Sequence, residues 1–271
     1  MRHAWLIIAH NEFDVLQRLV SLLDDERSDF FLHIDAKVKT LPEIAVEKGR
    51  LFVLENRVDV RWGSVSQIET ELVLMEAALA QGPYSHYHIL SGTHLPLKEV
   101  SELFRLYDAH PQEEVVRCWA PDERDMDFKI HRYHFPLRAY KSGSAFRRTL
   151  CQRSWQAVLK VQKILGIRHL TDQRFYKTDN WLSLTEEASR YLVGHRRDIL
   201  KKYRWSFCGD EYFAVSELKR SGVPFQFFDC QNLLHVVFHG DTPCTYLFSD
   251  IPALKESGCL WARKFTSVHD S

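Results

Sequence analysis

The chain has 271 residues, 45% of them apolar, and its 36 Lys and Arg are balanced by 36 Asp and Glu. That length can bury a sizeable core and suits one large α/β domain, and a zero formal charge excludes a protein that works mainly through phosphate contacts to nucleic acid. The apolar run before His10 is too brief for a signal peptide, no stretch of about 18 apolar residues follows it, and the six cysteines form no CxxC pair, so a cytoplasmic protein with reduced thiols is expected.

Strand and helix patterns alternate through residues 1–110. His3–Ala9 reads as a buried strand and Phe13–Leu23 as an amphipathic helix, with further strands at 29–34 and 51–54. Val65, Ile68, Leu72, Met75 and Leu79 recur at helical spacing until Gly82-Pro83 ends the helix. Residues 85–90 are strand again, closed by a Ser91-Gly92 turn. Such alternation implies an α/β fold with a central, mostly parallel sheet flanked by helices and with binding loops at the strand carboxyl ends. Functional residues are therefore expected near His10, Asp35, Trp62 and Ser91.

In the middle of the chain a strand at 115–119 stops before Pro121, the acid-rich 122–127 reads as a solvated loop, and 128–135 has strand character. Residues 138–174 carry nine Lys or Arg against the single acid Asp172. Within them Phe146, Leu150, Trp155, Val158 and Leu165 fit the apolar side of a basic helix. That helix is either a solvated face over a packed stripe or a peripheral contact with an anionic inner-membrane face. Later come a strand at 181–184, a helix at 186–203, a helix at 212–218 and a strand at 223–228. With no repeat or linker, a single domain over 1–271 is expected.

The segment Cys208-Gly209-Asp210-Glu211-Tyr212-Phe213 sets adjacent carboxylates at a loop-to-helix junction. There a side chain can face a cleft while the helix behind it fixes its position. Acids in a first helical turn are also favoured by the helix dipole alone. The pairs His131/His134 and His86/His88 invite a zinc reading, but neither has the activating Glu of an HExxH site. Asp125-Met126-Asp127 has the DxD form by which many glycosyltransferases hold a metal, but it is not tightly placed at a strand end. No GxGxxG, P-loop or GxSxG occurs.

Seven short segments, in this order, resemble the core-2/I-branching β-1,6-N-acetylglucosaminyltransferase family, which also holds peptide O-xylosyltransferases. They are Leu6-Ile7-Ile8-Ala9-His10, His33-Ile34-Asp35-Ala36-Lys37, Trp62-Gly63-Ser64-Val65-Ser66-Gln67 and Leu90-Ser91-Gly92-Thr93-His94-Leu95-Pro96-Leu97-Lys98, then Asn180-Trp181-Leu182-Ser183-Leu184-Thr185, Gly209-Asp210-Glu211-Tyr212-Phe213 and Leu260-Trp261-Ala262-Arg263-Lys264-Phe265. The resemblance implies a GT-A type fold, with a nucleotide-binding half at 1–110 and an acceptor and catalytic half at 111–271. It implies an inverting, metal-independent transfer from a UDP-sugar to a glycan or lipid-linked glycan hydroxyl. UDP-N-acetylglucosamine is the expected donor, with xylose as the alternative sugar. It also implies Glu211 as general base with Asp210 supporting it, Lys264 at the diphosphate, and Asp35 and His10 at the uridine. Trp62, Ser91, Gly92, His94, Asn180 and Trp181 complete the expected substrate contacts. Two departures stand out: His94 replaces a usual acid, and no Lys or Arg lies around Asp241-Thr242-Pro243-Cys244, so the diphosphate clamp is either incomplete or uses Arg263. The rival readings are a transferase-like binding module without catalysis and, more remotely, a histidine-based metallohydrolase.

Overall fold

The structure is a computed structural model that describes residues 1–135, 144–240 and 242–267. Among these residues the first half runs β1 (His3–Ala9), α1 (Phe13–Leu23), β2 (Ser28–Ile34), β3 (Arg50–Val53), α2 (Ser66–Leu79), β4 (Tyr87–Ser91), β5 (Leu95–Pro96), α3 (Val100–Ala109) and β6 (Glu113–Val116). Then follow α4 (Glu123–Lys129), α5 (Ala145–Ile164), β7 (Ser183–Leu184), α6 (Glu186–Gly194), α7 (Arg196–Tyr203), a 3-10 turn (Gly209–Glu211) and α8 (Phe213–Arg220). The chain closes with β8 (Gln226–Asp229), β9 (Leu234–His235), β10 (Phe238–His239), β11 (Thr242–Pro243), α9 (Ile251–Lys255) and β12 (Trp261–Ala262).

Seven strands form one sheet in the order β3-β2-β1-β4-β7-β6-β8. Every pairing in it is parallel except the two made by β7. The expected central, mostly parallel sheet flanked by helices is therefore present, and strands from both halves of the chain share it. β1 lies inside the sheet and is buried on both faces, as a near-continuous apolar strand should be. Its alternate side chains divide the core: Trp5, Ile7 and Ala9 pack with α1 and α3, whereas Ala4 and Leu6 pack with α2, α6 and α8. A smaller sheet, β5-β12-β9, brings the carboxyl-terminal segment back beside the end of β4.

Three expectations about local structure need correction. The run 122–127 is largely helical, because Asp122 accepts hydrogen bonds from the backbone N–H of Arg124 and Asp125 and so caps α4. Residues 128–135 form no strand: α4 runs through Lys129, and beyond it the chain turns, with the N–H of His134 donating to the Trp205 carbonyl at 2.8 Å. The helix expected over 186–203 is two helices. Gly194 weakens it, and His195 leaves the helical region at φ −102°, ψ 14°.

The basic helix is α5, although the earlier part of 138–174 lies outside the described residues. Trp155 turns inward, while Phe146, Leu150 and Leu165 are exposed, so the expected stripe is split between two faces. No helix among the described residues is long and apolar enough to cross a membrane.

Candidate functional site

A cavity of about 480 Å³ opens where β1, β2 and β4 end. This is the place an open parallel sheet offers a ligand, because the loops leaving adjacent strands diverge there. β1 delivers His10 and Asn11, β2 delivers Asp35 and Lys37, and β4 delivers Ser91, Gly92 and Thr93. Trp62 joins from the loop before α2, Gln67 and Glu71 from α2 itself, and Asn180 and Trp181 from the approach to β7. Arg263 and Lys264 arrive from the end of β12. Nine of the expected site residues thus meet in one cavity: His10, Asp35, Trp62, Ser91, Gly92, Asn180, Trp181, Arg263 and Lys264.

Two glycines are fixed by close approach. A Cβ on Gly92 would lie 2.8 Å from the Ala9 Cβ, so only glycine lets the ends of β4 and β1 meet here. Gly63 has φ +74°, and a Cβ there would fall 2.5 Å from Cε2 of Phe207. The Phe207 ring meets Trp62 edge-on at 5.1 Å, and the N–H of Cys208 donates to the Gly63 carbonyl at 2.9 Å. Through these contacts the Trp62 loop is joined to the loop that carries the carboxylate pair.

Burial pushes the His10 imidazole below its ordinary range, Lys264 pushes the same way, and Asp35 opposes both. Asp35 is buried and takes the Lys37 ammonium at 2.6 Å. Arg263 is half-buried and lies over the Trp181 ring, 4.9 Å from its centroid. Burial pulls its guanidinium down to about 10, against the opposing pull of Asp179 and Asp210. Four buried polar atoms at this cavity have no hydrogen-bond partner among the described residues: Asn11 Oδ1, Glu71 Oε2, Trp181 Nε1 and Arg263 Nε. Folded proteins rarely leave such atoms orphaned, and their clustering here marks a place where a ligand supplies the partners.

Asp210 and Glu211 stand next to this cavity but not in its lining. Cys208, just before them, has a left-handed backbone at φ 48°, a strained conformation for a non-glycine residue. Asp210 is buried, and its Oδ2 accepts from Gln67 Nε2 at 2.8 Å and Asn180 Nδ2 at 3.0 Å, both cavity residues. Burial first, and then the charge of Glu211, push its carboxyl up to about 7. Glu211 is partly exposed; its Oε2 takes Lys129 at 2.7 Å, with Lys177 at 3.7 Å. The same two lysines also hold Asp125, to which the Tyr212 hydroxyl donates at 2.7 Å.

Sequence reasoning missed Lys129, Lys177 and Glu71. Lys129 had a usable signal, because it lies four residues after Asp125, which is ion-pair spacing once α4 is recognised as a helix. His94 falls outside the cavity lining. It lies behind Trp181, with ring centroids 4.8 Å apart, and its Nδ1 accepts from the backbone N–H of Ser91.

The histidines of the two pairs are engaged within the fold. His88 is within 3.0 Å of His3 and 2.7 Å of the Ser183 hydroxyl, and His134 accepts from the Trp155 indole N–H at 3.0 Å. Asp127 pairs with Arg132 and Arg168. No three His, Cys, Asp or Glu side chains converge as a ligand set among the described residues.

An open α/β sheet with a cavity at its strand ends, lined by partly buried cations and buried carboxyls, defines a protein built to bind a polar, anionic ligand. A sequence model of the core-2/I-branching enzymes matches residues 3–217. The chain belongs to that family and is a glycosyltransferase. A search of curated proteins gives no match. Among solved structures, mouse xyloside xylosyltransferase 1 in its apo form shares 10% identity over 86% of each chain, with a TM-score of 0.39. A fragment of S. aureus TarS, residues 1–349, shares 9% identity over 74% of this chain and 66% of that one, with a TM-score of 0.29. Overlaps this loose carry no argument about individual residues.

Proposed function

We propose that the protein moves a sugar from a UDP-sugar to a hydroxyl of a glycan or lipid-linked glycan, with inversion and without a metal ion. The observation that carries this reading is the meeting of His10, Asp35, Arg263 and Lys264 in one cavity beside Asp210 and Glu211. His10 and Asp35, at two strand ends, hold the uridine. Arg263 and Lys264 face the diphosphate.

In the reaction the acceptor oxygen attacks the anomeric carbon as that carbon's bond to the diphosphate oxygen breaks. The bonding pair leaves with UDP, and the acceptor's proton passes to a carboxylate. Charge gathering on the diphosphate needs fixed positive partners, and a guanidinium partly withdrawn from water is suited to that task. Arg263 thereby supplies the second cation that the 242–244 region lacks.

Glu211 is the general base. It is exposed enough for an acceptor to reach, and the hydrogen bond and ion pairs to its side chain all run to Oε2. Lys129 and Lys177 hold that oxygen and so orient the other one. Asp210 fixes Gln67 and Asn180 at the cavity wall. Family membership supports N-acetylglucosamine as the sugar, with xylose as the alternative, and a part in assembling a cell-surface or capsular glycan.

The decisive variant is Glu211→Gln. Transfer should fall by at least about a thousandfold, while calorimetry shows UDP binding unchanged. Wild-type turnover in that variant would remove Glu211 as the base.

A further inference from the structure

Glu71 is a buried carboxyl that the transfer chemistry leaves unused. It lies in the middle of α2 among the fully buried Ile68, Leu72 and Met75, and is itself 1% exposed. Gln67 precedes it by one helical turn, and both side chains line the cavity. Glu71 forms no ion pair or side-chain hydrogen bond among the described residues, and its Oε2 is an orphan. Across from it, Asp210 uses Oδ2 for Gln67 and Asn180, and its Oδ1 is orphaned as well. Burial, and then the nearby Asp210, raise the Glu71 carboxyl well above its ordinary range.

A purely structural role does not account for this arrangement. An unpaired buried carboxyl costs stability, and a leucine of similar volume would pack the same site without that cost. Local rules broken in this way, on the wall of a cavity, point to a ligand that makes the missing bond.

We propose that Glu71 is a specificity-determining residue for the donor: its carboxyl hydrogen-bonds a hydroxyl of the sugar carried on UDP, on the wall formed by α2 and Asn180. The inference rests on the UDP-sugar reading above. A carboxyl kept neutral can both donate to and accept from a hydroxyl, and it adds no negative charge beside a diphosphate. Sites of this kind discriminate strongly, because a sugar that lacks the matching hydroxyl leaves the buried group unpaired.

The test is calorimetric titration of the whole protein with UDP alone and with UDP-N-acetylglucosamine, UDP-glucose, UDP-galactose and UDP-xylose. The wild type should separate these sugars by about tenfold or more, the worth of one hydrogen bond to a buried carboxyl. Glu71→Leu, which removes the buried acid, should bind UDP within about twofold of wild type and compress the sugar spread to about threefold or less. Should the leucine variant not fold, Glu71→Gln takes its place, and its order of sugar preference should differ from that of the wild type. An unchanged spread and order in a folded variant that still binds UDP overturns the proposal. So does a wild type that binds UDP yet treats all four sugars alike. A wild type that does not bind UDP overturns the underlying UDP reading, and this proposal with it.

Discussion

Replacing Asp210 by asparagine should stabilise the protein at neutral pH while impairing it as an enzyme. The carboxyl is 4% exposed and pushed up from 3.8 to about 7, mainly by burial and then by Glu211. A raised folded value means that the native state favours the protonated carboxyl. Its contribution to stability is thus fully present below the unfolded value near 4 and is lost as the pH rises through about 7. Asparagine has no such dependence. Its side-chain oxygen can still accept from Gln67 and Asn180, because both bonds run to the single atom Oδ2.

A carboxyl raised from 3.8 to about 7 costs about 4 kcal/mol above pH 7, and asparagine removes that cost. For a chain of 271 residues that is a gain of about 8 °C in Tm. Thermal unfolding followed by circular dichroism at pH 4.5, 6, 7 and 8 reads it directly. The difference between variant and wild type should be smallest at pH 4.5, grow across the window and level off above 7. A Tm difference that stays constant over this range would refute the reasoning. In parallel, transfer should fall by about tenfold or more, a trade of activity for stability of the kind that strained sites show.

Other consequences are equally open to measurement. Gly63→Ala forces a Cβ into the Phe207 ring at a positive φ; it should cost about 1–3 kcal/mol in urea unfolding and blunt the fluorescence change of Trp62 on UDP addition. Arg263→Met keeps an apolar stem over Trp181 but removes the charge, and should weaken UDP binding by about tenfold or more in calorimetry. His134 is held neutral by burial, its imidazole lowered from 6.5 to about 4. Because an unfolded chain takes up that proton first, the native state loses stability as the pH falls from 6.5 towards 4, by about 3 kcal/mol for this one group. In His134→Gln that part of the acid slope should vanish from denaturant midpoints measured at pH 4 and 7.

Much of the molecule was legible in the chain. The continuous apolar run Ala4–Ala9 and the strand–helix alternation after it specify a parallel sheet, and a parallel sheet puts His10, Asp35 and Ser91 at one end. Motif order carried the rest, placing Asn180, Trp181, Arg263 and Lys264 with them. The errors fell where local signals conflict. The acids of 122–127 suit a solvated loop as well as a capped helix, and the pattern of 186–203 does not show a break that hinges on the backbone of His195.

The carboxylate pair shows where sequence stops and tertiary structure takes over. Asp210 and Glu211 were readable as adjacent acids at a loop-to-helix junction, because backbone preferences and helix capping are local. That Glu211 is gripped by Lys129, 82 residues earlier in the chain, was not readable. Nor was the approach of Asp210 to Glu71, since α2 is buried on nearly every side and its pattern does not single out the face that turns to the cavity. Charge and burial act through space, and only the packed fold sets those distances.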